Sequence, residues 1–172
     1  MTELLKTIRE RKSVRTFDGK PVSAEDREKI EQYIRTIENP FGIPVRFVLL
    51  DAGAHGLSSP VLSRESLYIA GIVSKVPHAE EAFGFSFEKL VLYARSLGIG
   101  TTWIGGTMNR EAFERAAGLA EGEMMPCVSP LGYPAKRRSL KETMMRKGVG
   151  ADSRLPVEKI FFDGAWGTAL PP

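Results

Sequence analysis

The feature that most constrains the fold is a long apolar pattern over residues 83–97. Its apolar residues recur at helical spacing and form one broad face: Phe83, Phe87, Leu90, Val91, Ala94 and Leu97. Gly98 follows at the position where a helix commonly ends on a glycine. A helix with such a wide apolar face has to be covered by other elements, so we expect it to form the centre of the core.

Helices are predicted on both sides of this pattern by capping residues and apolar spacing. The first begins at Thr2, and the second follows Ser23 and ends near Glu38. A further helix follows Asn109, whose side chain suits an N-cap. Residues 135–147 predict a basic helix with little apolar surface.

Strands are predicted where β-branched and aromatic residues cluster in short runs. They occupy residues 45–50, 67–74 and 124–133, and a short β-type segment covers 99–106. The prolines of the 124–133 run are typical of an edge strand or a bulge. Residues 154–162 are predicted to be an extended or turn segment that buries three apolar residues: Ile160, Phe161 and Phe162. Helices interleaved with four or five strands indicate a mixed sandwich of helices and sheet.

The length favours one domain over residues 1–172. A chain of 172 residues, 42% of them hydrophobic, can bury a core without disulfides or metals. Its N-terminal residues mix acids and bases and lack the apolar stretch of a secretory signal. No run approaches the ~18 apolar residues that cross a bilayer. We therefore expect a cytoplasmic protein without a membrane partner.

One cysteine and two histidines limit the chemistry that side chains alone can provide. Cys127 has no partner for an internal disulfide, and His55 and His78 are too few for a zinc site of ordinary ligand count. We therefore predict a reducing compartment and no metal site. Cys127 lies in an apolar strand and His78 in a loop, so neither is predicted to be catalytic.

Positive charge is small in total but concentrated in two basic zones. The formal net charge is +3, whereas residues 1–20 hold six bases against three acids and residues 134–154 hold seven against two. Such zones attract phosphate, of a nucleotide cofactor or of a polynucleotide, or form a solvated surface. Tyr133 is the only aromatic residue beside the second zone, and no recognised nucleic-acid module is present, so we expect no nucleic-acid partner.

Several motifs that carry chemistry are absent from the sequence. It contains no GxGxxG after a strand, no GxxxxGK[ST], no HExxH, no CxxC and no GxSxG. If the chain is an enzyme, we therefore expect its reactive group to come from a cofactor. Such a cofactor needs cations for its phosphate, backbone amides for its ring and a dry wall from the protein.

A candidate cradle for a cofactor follows the first predicted helix. Four cationic or polar residues lie within five positions: Arg11, Lys12, Ser13 and Arg15. A guanidinium group can bind a phosphate with two hydrogen bonds, and a hydroxyl and free backbone amides add donors. Arg154 in the second basic zone is the candidate for a further cation. Alternatively, these arginines lie on the surface and pair with Glu10 or Asp18.

Four segments, in the same order and spacing, resemble the nitroreductase family of FMN-dependent oxidoreductases. They are IRERKSVRTF at 8–17, EKLVLYARSLGIGTTWIGG at 88–106, VSPLGYPAKRRS at 128–139 and SRLPVEKIFF at 153–162. The resemblance covers nearly the whole chain. It implies an α+β fold in which a mixed, mainly antiparallel sheet is flanked by helices in a three-layer sandwich.

The resemblance also implies a set of FMN-binding residues. Those for the phosphate and ribityl chain are Arg11, Lys12, Ser13 and Arg154. Arg15 falls where the family holds a cation near flavin N1 and O2, which stabilises the negative charge that reduction places there. Gly105 and Gly106 match the backbone that passes the flavin ring. Asp152 stands where the family often has a lysine, and this departure weakens the phosphate pocket or shifts it toward Lys147.

The loop after the second helix departs from the common family pattern. Where many members read APSxxNxQPW, this chain reads ENPFGIPVRF at 38–47, in which Asn39 is expected to keep one polar contact with the flavin. This form resembles a subgroup in which one chain carries two half-domains that imitate the usual dimer. The chain ends at FFDGAWGTALPP, near where a second half would begin, so we expect a shortened or incomplete C-terminus. A homodimer or pseudo-dimer is then expected to complete the flavin site.

The resemblance implies an FMN-dependent oxidoreductase that works by a ping-pong mechanism. NAD(P)H would supply electrons, and an electron-poor small molecule such as a nitroaromatic or quinone would accept them. No catalytic side chain is predicted, because flavin N5 carries the chemistry and Arg15 tunes N1 and O2. The altered loop and Asp152 leave an alternative open. In that alternative the protein has a nitroreductase-like fold, with or without bound flavin, and no redox turnover.

Overall fold

The computed structural model describes residues 3–151 and 153–170 and divides into two compact units. The first unit runs to Ser139 and the second begins at Leu140. The prediction of a single domain over 1–172 stays a prediction. Two further predictions, the helix start at Thr2 and the family departure at Asp152, lie outside the described residues.

A four-stranded sheet forms the middle of the first unit. Its strands are β1 Val45–Asp51, β2 Leu67–Ser74, β3 Glu123–Met124 and β4 Val128–Leu131. Strand β2 is central, with β1 antiparallel along one edge and β3 and β4 antiparallel along the other. All of β2 except its last residue is buried, as its run of uncharged residues predicts. The predicted strands at 45–50 and 67–74 are therefore confirmed.

Helices cover both faces of this sheet. They are α1 Glu3–Glu10, α2 Ala24–Ile34, α3 Ala52–His55, α4 Ala79–Ser96 and α5 Arg110–Ala116. Along β2, Tyr68 and Ile72 belong to a core shared with α3 and α5. Ile69 and Val73 belong to a second core, shared with α2 and α4. Alternate side chains of a strand point to opposite faces, so β2 separates two cores. The predicted α+β fold, with an antiparallel sheet and flanking helices, is confirmed.

The predicted central helix is α4, and it packs closely on β2. Its apolar face is buried along nearly the whole length: Ala79, Ala82, Phe83, Phe87, Leu90, Val91 and Ala94. It approaches β2 at Gly71, where an added Cβ would lie 2.6 Å from Cε2 of Phe83 and 3.0 Å from Cδ2 of Phe87. Gly98 follows with φ +77°, as a helix-ending glycine should.

Two predicted boundaries differ in the structure. Helix α2 begins after its Ser23 cap, whose hydroxyl accepts from the Asp26 N–H at 3.1 Å, but ends at Ile34 and not near Glu38. It ends early because the Thr36 hydroxyl and N–H both donate to the Tyr33 carbonyl, which closes a tighter turn. The predicted segment at 99–106 forms isolated bridges and no regular strand.

The predicted strand over 124–133 is divided into β3 and β4. The carbonyls of Met125 and Pro126, between the two, accept hydrogen bonds from the Arg110 guanidinium at 2.7 and 3.4 Å. These carbonyls bond to a side chain and not to a neighbouring strand, so the ladder is interrupted there. Asn109 caps α5 as predicted, since its Oδ1 accepts from the Ala112 N–H at 3.2 Å.

The second unit contains one helix and a short C-terminal segment. Helix α6 covers Leu140–Gly148, so the predicted basic helix exists but begins five residues after 135. The prediction that Ile160, Phe161 and Phe162 are buried is wrong: the first two are 50% and 55% exposed, and Phe162 is half-buried. The segment forms a 3-10 turn over Val157–Lys159 and an isolated bridge, which provide no second layer to cover these side chains.

Within residues 3–151 and 153–170, no helix combines the length and the apolar character needed to cross a bilayer. The longest, α4, has 18 residues, and acidic and basic side chains interrupt its sequence.

The contact at Gly71 predicts opposite effects for two glycine-to-alanine substitutions. Gly71→Ala should lower the free energy of unfolding by about 1–3 kcal/mol, because the new methyl group overlaps two rings. Gly84→Ala should raise it by about 0.5–1 kcal/mol, because Gly84 lies within α4 and a Cβ there meets nothing within 4 Å. Urea unfolding followed by circular dichroism measures both. Equal effects of the two substitutions would contradict the packing described.

Candidate functional site

The basic segment that follows α1 lies against the segment that follows α4. The Arg11 N–H donates to the Thr7 carbonyl at 2.8 Å, so the helical turn continues to Arg11. Ser13 then forms a parallel bridge with Thr101, and the Val14 N–H donates to the Thr101 carbonyl at 2.9 Å. Gly100 permits this approach, because a Cβ there would lie 2.8 Å from Cβ of Val14. The basic segment thus lies beside the stretch of chain that leads to Gly105 and Gly106.

Arg11 has the most distinctive environment among the predicted site residues. Its side chain is 22% exposed, and its Nε lies 3.8 Å from Oε1 of Glu88 in α4. That separation is too long for a hydrogen bond. Nε is buried, and no acceptor within the described residues bonds to it. A buried donor without an acceptor is costly, so this guanidinium suits an anionic ligand that would supply one.

The next residues continue the basic segment in an extended conformation. Lys12 is exposed, Ser13 and Arg15 are half-buried, and Val14 between them is buried at 9% exposure. The Arg15 carbonyl accepts from the Ser63 N–H at 2.9 Å, which anchors the end of the segment. Three of the four predicted polar side chains in this segment therefore keep access to solvent next to Arg11. Their contact with FMN stays a prediction.

Glu88 and Trp103 belong to the same neighbourhood, and the sequence did not single out either. The indole N–H of Trp103 donates to Oε2 of Glu88 at 3.1 Å. The Trp103 ring, 38% exposed, packs edge-on against Phe87 and Phe83, with centroids 4.8 and 6.1 Å away. One carboxylate thus faces both Arg11 and Trp103. The sequence could have drawn attention to Glu88, because this acidic residue directly follows Phe87 in the central apolar helix.

Gly105 and Gly106 form an exposed turn directly after this segment. A Cβ on Gly105 would meet the Pro126 carbonyl oxygen at 3.5 Å, whereas one on Gly106 would meet nothing within 4 Å. The Gly105 carbonyl accepts from the Arg110 guanidinium at 2.5 Å. The space beside the two glycines is open, and the turn is held from behind by Arg110. Passage of a flavin ring along this turn stays a prediction.

Asn39 holds its own loop. Its Nδ2 donates to the Ile43 carbonyl at 2.7 Å and to the Ser86 hydroxyl at 3.1 Å, and its Oδ1 accepts from the Phe41 N–H at 3.1 Å. These bonds fix the 39–43 loop to α4. They engage both donors of the amide within this chain, and a flavin contact of Asn39 stays a prediction.

Arg154 lies in the second compact unit and is exposed there. Its Nη1 donates to the carbonyl of Ser153 at 2.7 Å and to that of Ala151 at 3.4 Å. These contacts hold the guanidinium against its own backbone. Its role as a phosphate ligand stays a prediction.

The cysteine is buried, and both histidines lie on the surface. Cys127 is 6% exposed, and burial raises the pKa of its thiol to about 12, outweighing the nearby Arg110 charge and the Ile104 amide, which lower it. A thiol with that pKa is almost entirely protonated at neutral pH and is a poor nucleophile. His55 and His78 are exposed, and His78 lies beside Glu81, with Nδ1 at 3.4 Å from its Oε1.

Comparison with known families identifies the family of this chain. The family model described as “Putative TM nitroreductase” matches residues 3–161, which is most of the chain. No protein of curated function matches the chain significantly.

Solved structures show the same fold. A nitroreductase family protein from Clostridium difficile 630 is 16% identical, with 96% of this chain and 99% of that chain covered and a TM-score of 0.70. An FMN-dependent nitroreductase from Clostridium difficile R20291 is 17% identical over 78% and 90%, with a TM-score of 0.66. A nitroreductase with bound FMN from Bacteroides fragilis NCTC 9343 is 22% identical over 81% and 92%, with a TM-score of 0.64. The three-layer sandwich expected from the resemblance is therefore confirmed.

The order of the helices along the chain and the antiparallel sheet agree with the family match over residues 3–161. This chain belongs to the nitroreductase family.

Proposed function

We propose that this protein is an FMN-dependent oxidoreductase that passes electrons from NAD(P)H to an electron-poor small molecule, such as a nitroaromatic or a quinone. The observation that carries the proposal is the buried Nε of Arg11, which no acceptor within the described residues satisfies. It lies at the end of α1, beside exposed Lys12 and half-buried Ser13. Such a set of donors fits a phosphate monoester.

The protein's own residues would bind and orient the cofactor and tune its charge. Arg11, Lys12 and Ser13 would hold the phosphate and ribityl chain. Arg15 would place a positive charge near N1 and O2. The open turn at Gly105 and Gly106 would lie along the ring, where Cβ atoms are absent.

The chemistry that bound FMN supplies is two-electron transfer between a nicotinamide donor and the acceptor in two alternating half-reactions. No side chain has to act as a general acid or base in this scheme. The buried Cys127 thiol, with its raised pKa, takes no part. Because a single cysteine cannot form an internal disulfide, we propose a reducing, cytoplasmic compartment for this protein. The scheme requires neither a nucleic acid nor a membrane.

A flavin titration tests the phosphate site. The wild-type protein should bind FMN more tightly than riboflavin, which lacks the phosphate. Arg11→Gln should weaken FMN binding about 10- to 100-fold, because a charge-assisted hydrogen bond contributes about 1.5–3 kcal/mol. Riboflavin binding should change little. Quenching of flavin fluorescence measures all of these affinities.

The matched control is Arg9→Gln, which removes the same charge from an exposed position of α1 two residues earlier. It should leave FMN affinity within about twofold of wild type. Equal FMN and riboflavin affinities in the wild-type protein would contradict the proposed phosphate site. An Arg11→Gln effect no larger than that of Arg9→Gln would do the same.

Redox turnover separates the proposal from a flavin-binding protein without activity. Under anaerobic conditions, NADH or NADPH should bleach the visible absorbance of the FMN-loaded protein, and a nitroaromatic or quinone should restore it. The expected order follows from a ping-pong scheme, in which donor and acceptor react in separate steps. A yellow protein that neither nicotinamide bleaches would support the alternative, retention of the fold without redox function.

We also propose that a second copy of the chain, or a pseudo-dimeric equivalent, completes the site. Helix α1 exposes three large apolar side chains: Leu4 at 58%, Leu5 at 47% and Ile8 at 48%. A groove of about 320 Å³ lies beside them between α1, α2 and α4, with Tyr33 and Tyr93 among its lining residues. Apolar patches of this kind on a folded unit favour contact with another protein surface.

Light scattering on the FMN-loaded protein tests this proposal. The expected mass is about twice that of the 19.0 kDa chain. Ile8→Lys should shift the mass toward that of one chain, because a charge is then buried in an apolar contact. The control Val76→Lys, at a residue 44% exposed in the loop before α4, should leave the mass unchanged. A single-chain mass for the wild-type protein would refute the dimer.

A further inference from the structure

The carboxylate of Glu88 connects the two segments of the candidate site. Its Oε1 lies 3.8 Å from Arg11 Nε, and its Oε2 accepts from the Trp103 indole at 3.1 Å. The Glu88 side chain is 41% exposed and that of Arg11 is 22% exposed. Solvent therefore screens this pair only in part.

The geometry distinguishes a competing charge from a positioning contact. A carboxylate that orients a guanidinium does so through short, often paired hydrogen bonds of about 2.7–2.9 Å. Glu88 makes no such bond to Nε, which is buried without an acceptor among the residues that the structure describes. Glu88 therefore neutralises part of the charge of Arg11 without using its donor.

A bound phosphate would lie close to the same carboxylate. A phosphate oxygen that accepts a hydrogen bond from Arg11 Nε would lie about 2.9 Å from that nitrogen. Oε1 of Glu88 lies 3.8 Å from the same nitrogen, so the two oxygens would be no more than about 7 Å apart. That distance is within one Debye length at physiological ionic strength, so the two negative charges repel each other. The Trp103 hydrogen bond restrains Glu88 from turning away.

We propose that Glu88 determines the phosphate affinity of this site: it is a resident counter-ion of Arg11 that weakens binding of the FMN phosphate. This inference rests on the proposed function, since it concerns the same phosphate site. It makes Glu88 a residue that tunes affinity and not a catalytic residue. It also predicts that removal of one charge improves binding, which is the opposite of what loss of a positioning residue would cause.

The test is a titration of FMN and of riboflavin into the full-length protein and its Glu88→Gln variant. Glutamine keeps an oxygen that can accept from the Trp103 indole but carries no charge. Glu88→Gln should tighten FMN binding about twofold to fivefold, the range expected for a partly exposed charge pair. Riboflavin affinity should not change, because riboflavin has no phosphate for Glu88 to repel.

Glu80→Gln is the matched control. Glu80 is an exposed carboxylate in the first turn of the same helix, so its substitution changes the net charge by the same amount. It should alter FMN affinity less than twofold. Tightening for FMN alone, and in Glu88→Gln alone, supports the inference. Unchanged or weaker FMN binding in Glu88→Gln overturns it, and an equal gain in Glu80→Gln overturns it as well.

A second variant covers the case in which Glu88→Gln fails to fold. Glu88→Ala removes the charge together with the Trp103 acceptor, and it too should bind FMN more tightly than wild type. Thermal unfolding of each variant confirms that a folded protein is titrated. If wild type and variants bind FMN no better than riboflavin, the proposed function fails and this inference with it. If wild type prefers FMN and neither variant gains affinity, only the role of Glu88 is refuted.

Discussion

The close contact between α4 and β2 at Gly71 determines much of the remaining geometry. The rings of Phe83 and Phe87 occupy the space that any larger residue at position 71 would fill. This contact fixes the rotation of α4 about its axis, because a helix with two buried rings on one face cannot turn without exposing them. Glu88 follows Phe87 at the edge of that buried face. The packing of the core therefore places the acidic group beside Arg11 and Trp103.

Local patterns are sufficient to predict the elements whose stability depends on burial of a continuous face. The apolar spacing of α4 and the uncharged run of β2 identify both elements from the amino-acid sequence alone. The errors occur where a long-range contact overrides the local pattern. Arg110 divides the predicted strand over 124–133 by binding the carbonyls of Met125 and Pro126. At the C-terminal end, apolar residues such as Phe161 predict burial, but the described residues of the second unit leave them half exposed.

The candidate site could be predicted only in part for the same reason. The cluster from Arg11 to Arg15 is contiguous, so the sequence shows it directly. The family resemblance implies that its ligand is FMN. The contact between Arg11 and Glu88 joins residues far apart in the chain, and no local periodicity reports such a pair. For Asn39 the family resemblance predicts a flavin contact, and this stays a prediction. The structure adds that its amide holds the loop that contains it, which no sequence pattern indicates.

The hydrogen bond from Arg110 to the Gly105 carbonyl orders the turn at Gly105, and this order affects the energetics of ligand binding. One guanidinium binds the carbonyls of Gly105, Met125 and Pro126, so separate stretches of irregular backbone share a single anchor. A ligand that binds at this turn does not have to order it, because the turn is already ordered in the free protein. Preorganisation of that kind lowers the conformational entropy that is lost on association. The turn can therefore contribute to affinity even though its glycines have no side chains to contact a ligand.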